Sequence, residues 1–127
     1  MELLLIHNPK AGYGQVDAST LIQMLTEAGH IVTYQSSKVD DLATALEREW
    51  DLVVVAGGDG TVTRVARTAG SGRAPLAILP LGSANNVART VGHYGPLENL
   101  IRSWDGASVE EVDLGVVVAD WGKSRFA

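Results

Sequence analysis

The sequence predicts an α/β fold: a three-layer α/β/α sandwich around a mostly parallel sheet, ending in the start of an antiparallel β segment. Three observations predict it. Short apolar runs alternate with stretches of helical periodicity along most of the chain. The most apolar run, DLVVVA at 51–56, is continuous rather than alternating, as strands covered on both faces are. The hairpin signal comes only at the end, where SVEEVDLGVVVA (108–119) meets the turn DWGK.

Each element follows in order. ELLLI (2–6) is the first strand and stops at Asn8-Pro9. Ala18, Leu21, Ile22 and Leu25 then recur at helical spacing, with Gly29 as the stop. IVTYQ (31–35) is the second strand, and Asp40 is the expected N-cap of a helix carrying Leu42, Ala45, Leu46 and Glu49. After DLVVVA, Val62, Val65, Ala66 and Ala69 mark a third helix, closed by GSGRAP. LAILP (76–80) is the fourth strand; a short helix is expected to start near Ser83. Leu97, Leu100, Ile101 and Trp104 outline the last helix.

Composition narrows the function. Of 127 residues, 46% are hydrophobic and 20% charged, as in an ordinary soluble domain. The net charge of −5 and the lack of any basic run argue against nucleic acid as a partner. No apolar run approaches the ~20 residues of a membrane helix, and MELLLIHNPK lacks the marks of a signal peptide. With no cysteine there is neither disulfide nor thiolate metal site. A cytoplasmic protein is expected.

Three loops carry the chemistry: NPKAGYG (8–14), GGDGT (57–61) and PLGSANN (80–86). Each follows a strand, at the sheet end where parallel folds bind ligands. Glycines such as Gly12, Gly57, Gly58, Gly60 and Gly82 allow close backbone approach to phosphates, and helix N-termini supply N–H donors. Asp59 is the candidate to hold a hydrated Mg²⁺ or orient an acceptor hydroxyl, and Arg64 starts close enough to reach a phosphate. Any one loop alone reads as a turn with a cap; the three together read as one phosphate site. His7, His30 and His93 lack ligand spacing, and Trp50, Trp104 and Trp121 read as packing residues. Neither Gly-x-x-x-x-Gly-Lys-[Ser/Thr] nor Gly-x-Gly-x-x-Gly occurs.

In that order and spacing, NPKAGYG, VVVAGGDGTVTRVA, LAILPLGSANNVART and EEVDLG resemble the catalytic domain of diacylglycerol kinases and related lipid kinases, over nearly the whole chain. GGDGT alone is shared with NAD kinases; PLGSANNVAR favours the lipid kinases. The resemblance implies an N-terminal ATP-binding α/β domain, here 1–107, followed by a β-sandwich of which 108–127 would be the start. It implies ATP and Mg²⁺ as cofactors and transfer of the γ-phosphoryl to a lipid hydroxyl. Asn8, Lys10, Gly12 and Ser36 would line the nucleotide, Gly58 to Arg64 would wrap its phosphates, and Ser83 would contact them. Asp59 would do metal-linked or acid–base work, with Asp113 in an acidic network near the metal. The lipid would be bound through the further domain, so a chain lacking it would be inactive alone. Membrane contact would be peripheral at the inner face, and self-association into a homodimer is compatible with exposed strand edges.

The chain departs from the family pattern at Thr63-Arg64, where Asn-Glu is usual, and at Asn86, where Asp is usual. Two carboxylates are exchanged for neutral or cationic groups. A non-catalytic nucleotide-binding module and a NAD kinase-like small-molecule kinase are the alternatives.

Overall fold

The computed structural model describes residues 1–38, 41–69 and 74–104. Four strands, β1 (Glu2–His7), β2 (Ile31–Ser36), β3 (Leu52–Gly57) and β4 (Leu76–Pro80), form one parallel sheet in the order β2-β1-β3-β4. The helices are α1 (Ala18–Glu27), α2 (Leu42–Glu47), α3 (Asp59–Ala69), α4 (Asn86–Thr90) and α5 (Leu97–Ser103). The chain runs from β1 outward to β2, then crosses back over β1 to build β3 and β4. Strand order therefore reverses between β1 and β3, the crevice where open parallel sheets bind ligands.

Side-chain alternation divides the interior into two layers. Leu3 and Leu5 of β1 pack with Leu21 and Leu25 of α1 and Ile101 of α5. Leu4 and Ile6 face the other way, onto Leu42 and Leu46 of α2, Val62 and Val65 of α3, and Val87 and Ala88 of α4. Strands β1 and β3 thus have both faces covered, which is why they read as unbroken apolar runs. Trp50 packs against the second layer and Trp104 against the first. Trp121 lies outside the described residues.

The sheet and the three-layer arrangement match expectation. Asp17 caps α1 by accepting from the Thr20 amide at 2.8 Å, and Gly29 ends it at φ +97°. Three details differ. The helix expected near Ser83 starts at Asn86, because Gly82 to Asn85 are held as a turn. Helix α2 stops at Glu47, before Glu49: Arg48 is extended, and the Trp50 indole N–H folds back to the Ala45 carbonyl at 2.8 Å. Within NPKAGYG, Ala11–Gly14 wind into a 3-10 turn. Asp40, Asp113 and the segment 108–127 lie outside the described residues. Among the described residues, no helix is long and apolar enough to cross a membrane.

Candidate functional site

Strand register gathers the three loops. His7 lies level with Ser36 of β2 and Ala56 of β3, and Gly57 lies level with Pro80 of β4. The four strands therefore end in one row. Asn8, Gly58 and Leu81 each step off that row into a loop.

The loops touch through their backbones. A Cβ on Gly82 would stand 2.6 Å from Gly58 Cα, so only glycine fits at this crossing. Gly12, at φ +59°, lies so near the Leu81 carbonyl that a Cβ there would be 2.6 Å from its oxygen. The Asn8 side-chain amide reaches Thr61 Oγ1 at 3.5 Å, while its Oδ1 accepts the Lys10 amide at 3.1 Å. The Leu81 amide returns to the Gly57 carbonyl at 3.0 Å. Expected site residues Asn8, Gly12, Gly57, Gly58, Thr61 and Gly82 are thus brought together by direct contact. Lys10, Gly60 and Ser83 stand exposed on the same loops, and Ser36 closes β2 with its hydroxyl accepting the Lys38 amide at 3.2 Å.

Two charged candidates do something the sequence does not announce. Asp59 Oδ1 accepts the Val87 amide at 2.8 Å, joining α3 to the start of α4. Arg64 sends its guanidinium sideways to donate to the Ser37 carbonyl at the end of β2. It thereby ties α3 to the β2 end of the row. Among the described residues, no group of three or more His, Asp or Glu is gathered around a metal position. A fully protein-built Mg²⁺ cage does not fit the donors among the described residues. A hydrated Mg²⁺ carried by a nucleotide does fit, since such ions keep several waters and take only one or two carboxylates. Asp59 is the one carboxylate in the GGDGT turn.

Composition gives no sign of two further buried polar residues beside these loops. His7, next to the first loop, is fully buried, with Nδ1 3.0 Å from the Tyr34 hydroxyl and Nε2 without a hydrogen-bond partner among the described residues. Burial holds its pKa below the usual imidazole value, against the opposing pull of the Val16 backbone and the Asp17 charge. Burial likewise raises Tyr34. Period-two counting from Leu3 and Leu5 was the available signal, since it points position 7 into the same layer. The other is Asn85, in the left-handed region at φ 55°.

Comparison with known proteins agrees with this fold. The family described as "Diacylglycerol kinase catalytic domain" matches residues 2–117. A Pseudomonas aeruginosa protein named "Probable lipid kinase YegS-like" is 38% identical over 97 residues, covering 71% of this chain and 32% of the relative. The Bacillus subtilis diacylglycerol kinase is 28% identical over 125 residues, covering 89% of this chain and 41% of the relative. Among solved structures, a diacylglycerol kinase from Bacillus anthracis superimposes with a TM-score of 0.63 at 30% identity, over 80% of this chain and 41% of that one. The chain thus spans well under half the length of these relatives. With the match running from β1 past the last described helix, and with the fold shared at this level of identity, the chain belongs to the diacylglycerol kinase catalytic domain family.

Proposed function

We propose that this chain is the nucleotide-binding part of an ATP-dependent lipid kinase that transfers the γ-phosphoryl group to a lipid hydroxyl such as that of diacylglycerol. The observation that carries the reading is the interlocking of three glycine-rich loops at the β1/β3 reversal, with Gly12 against Leu81 and Gly58 against Gly82. Glycine at these crossings leaves the loop backbones close together and uncovered by side chains, as a phosphate cradle requires.

In this reading Gly57 to Thr61 and the start of α3 hold the phosphates with backbone N–H groups. Asn8, Lys10, Gly12 and Ser36 line the nucleotide, and Ser83 reaches the phosphates from the opposite loop. Arg64 adds positive charge at the β2 end. Asp59 keeps Oδ2 for a hydrated Mg²⁺, with Asp113 as a further indirect contact; the ion's part is to offset phosphate charge. Phosphoryl transfer depends on positioning and on charge stabilisation. The residues of this chain supply the donor half of both. The relatives extend well beyond the stretch matched here, so lipid binding is assigned to regions outside it, and the chain alone should turn lipid over negligibly.

Calorimetric titration of MgATP into the chain and into Gly58→Val tests the reading. Binding by the wild type and its loss in the variant are expected, because even a Cβ at Gly58 would stand 3.2 Å from Gly82 Cα. A wild-type chain that binds no adenine nucleotide would overturn it.

A further inference from the structure

Helix α4 does not use the cap its own sequence offers. Asn85 occupies the N-cap position, where a side-chain oxygen ordinarily accepts an amide of the first turn. Its side chain instead turns back on Gly82, accepting from the Gly82 amide at 2.9 Å and donating to the Gly82 carbonyl at 2.7 Å. The second amide of the helix, that of Val87, is left for another acceptor. Val87 is only 2% exposed, so water is a poor substitute. Asp59 Oδ1, arriving from α3, accepts this amide at 2.8 Å.

Asp59 therefore caps a helix that is not its own. On one side of the Gly82–Asn85 turn, Gly58 packs against Gly82; on the other, Asp59 holds Val87. We infer that Asp59 is a positioning residue: through Oδ1 it fixes the turn that carries Ser83 against the Gly57–Thr61 loop. Without that tie, α4 is still joined to α3 by Val87 and Ala88 in the shared apolar layer, but its first turn loses its fixed orientation. The contact needs an acceptor oxygen and not a charge. Asparagine can supply it and alanine cannot, which separates this role from any role of the carboxylate toward a metal.

The comparison is therefore between Asp59→Asn and Asp59→Ala, both of which lack the charge. Amide hydrogen exchange at Val87, read by NMR on the ligand-free chain, should stay slow in wild type and Asp59→Asn. In Asp59→Ala it should quicken by ~tenfold or more. Affinity for ADP with no divalent metal present should be ~tenfold weaker in Asp59→Ala than in Asp59→Asn. Far-UV circular dichroism confirms that each variant is folded.

Unchanged Val87 exchange in Asp59→Ala would overturn the tie. Equal ADP affinity in the two variants, beside the expected exchange, would overturn the positioning role. The affinity arm rests on the nucleotide reading and the exchange arm does not. A wild type that binds no nucleotide would defeat that reading, while Val87 exchange still decides whether Asp59 holds the turn.

Discussion

Gly82 and Asn85 show how a four-residue turn comes to matter. Gly82 has no room for a side chain, and Asn85 needs a conformation that costs most L-residues roughly 1–2 kcal/mol. Gly82→Ala must push the second and third loops apart, which should destabilise the fold by about 1–3 kcal/mol and weaken nucleotide binding. Urea denaturation and calorimetry measure the two effects. At position 85, glycine restores the backbone but neither hydrogen bond, and alanine restores nothing. Stability should fall in the order wild type, Asn85→Gly, Asn85→Ala, with the last about 2 kcal/mol below wild type. An alanine variant as stable as the glycine variant would show that the left-handed backbone is not what asparagine serves here. The glycine clusters were legible as loops in the sequence. Which glycine met which backbone was not, because Gly12–Leu81 and Gly58–Gly82 join residues far apart in the chain. The same holds for Asp59: its residue type suggested phosphate or metal chemistry, and nothing local pointed to an amide 28 positions away.

At the level of elements, legibility followed burial. Strands β1, β3 and β4 stood out because one or both of their faces are covered, and α1 stood out through the spacing of Ala18, Leu21, Ile22 and Leu25 and through Gly29 at its end; its Asp17 cap is a finding of the structure. The sequence places helix α4 too early because Ser83 reads as its start, whereas Asn85, kept in the left-handed region, delays it. The β4 edge has a device with no sequence signature. The Ile78 amide donates to His93 Nδ1 at 3.1 Å, so a side chain after α4 occupies a donor of the strand that is outermost among the described residues. Only an imidazole with a free Nδ1 lone pair can accept that bond. Burial lowers the His93 pKa from 6.5, and burial also lowers His7. The folded state therefore resists protons that the unfolded chain accepts. Stability should be complete above pH 6.5, decline as the pH falls through that value, and level off only below the depressed folded pKa values. Thermal melts from pH 7.5 to pH 5 should show this acid-side loss, and His93→Gln should reduce its slope, leaving the share of His7. A slope untouched by the substitution would place the titration elsewhere.

At the scale of the molecule, the described residues form two apolar layers divided by a sheet, with the loops strung along one end of it. Among the described residues the layers meet through the strands, so their energetics should be nearly independent. Ile101 of α5 lies in the α1-side layer, while Ile6 of β1 lies in the other, opposite Val55 in register. Ile6→Val and Ile101→Val should each cost about 0.5–1.5 kcal/mol. They belong to different apolar clusters, so the double variant should equal the sum to within ~0.5 kcal/mol. Ile6→Val combined with Val55→Ala is the contrasting case. These two residues are register partners on neighbouring strands within one apolar layer, so the second truncation should enlarge a void that the first has opened. Their combined cost should depart from the sum by more than ~0.5 kcal/mol. Denaturant unfolding of the six proteins measures both cycles. The same division bears on the site, because Asn8 leaves β1 and Gly58 leaves β3, and those two strands are walls of both layers. Loosening either layer should then weaken nucleotide binding, and loosening the α2/α3/α4 side should weaken it more, since α3 and α4 carry Asp59 and Val87. If Ile6→Val and Ile101→Val reduced MgATP affinity equally, the loops would be held by the sheet alone, and the Asp59 tie would add nothing to their placement.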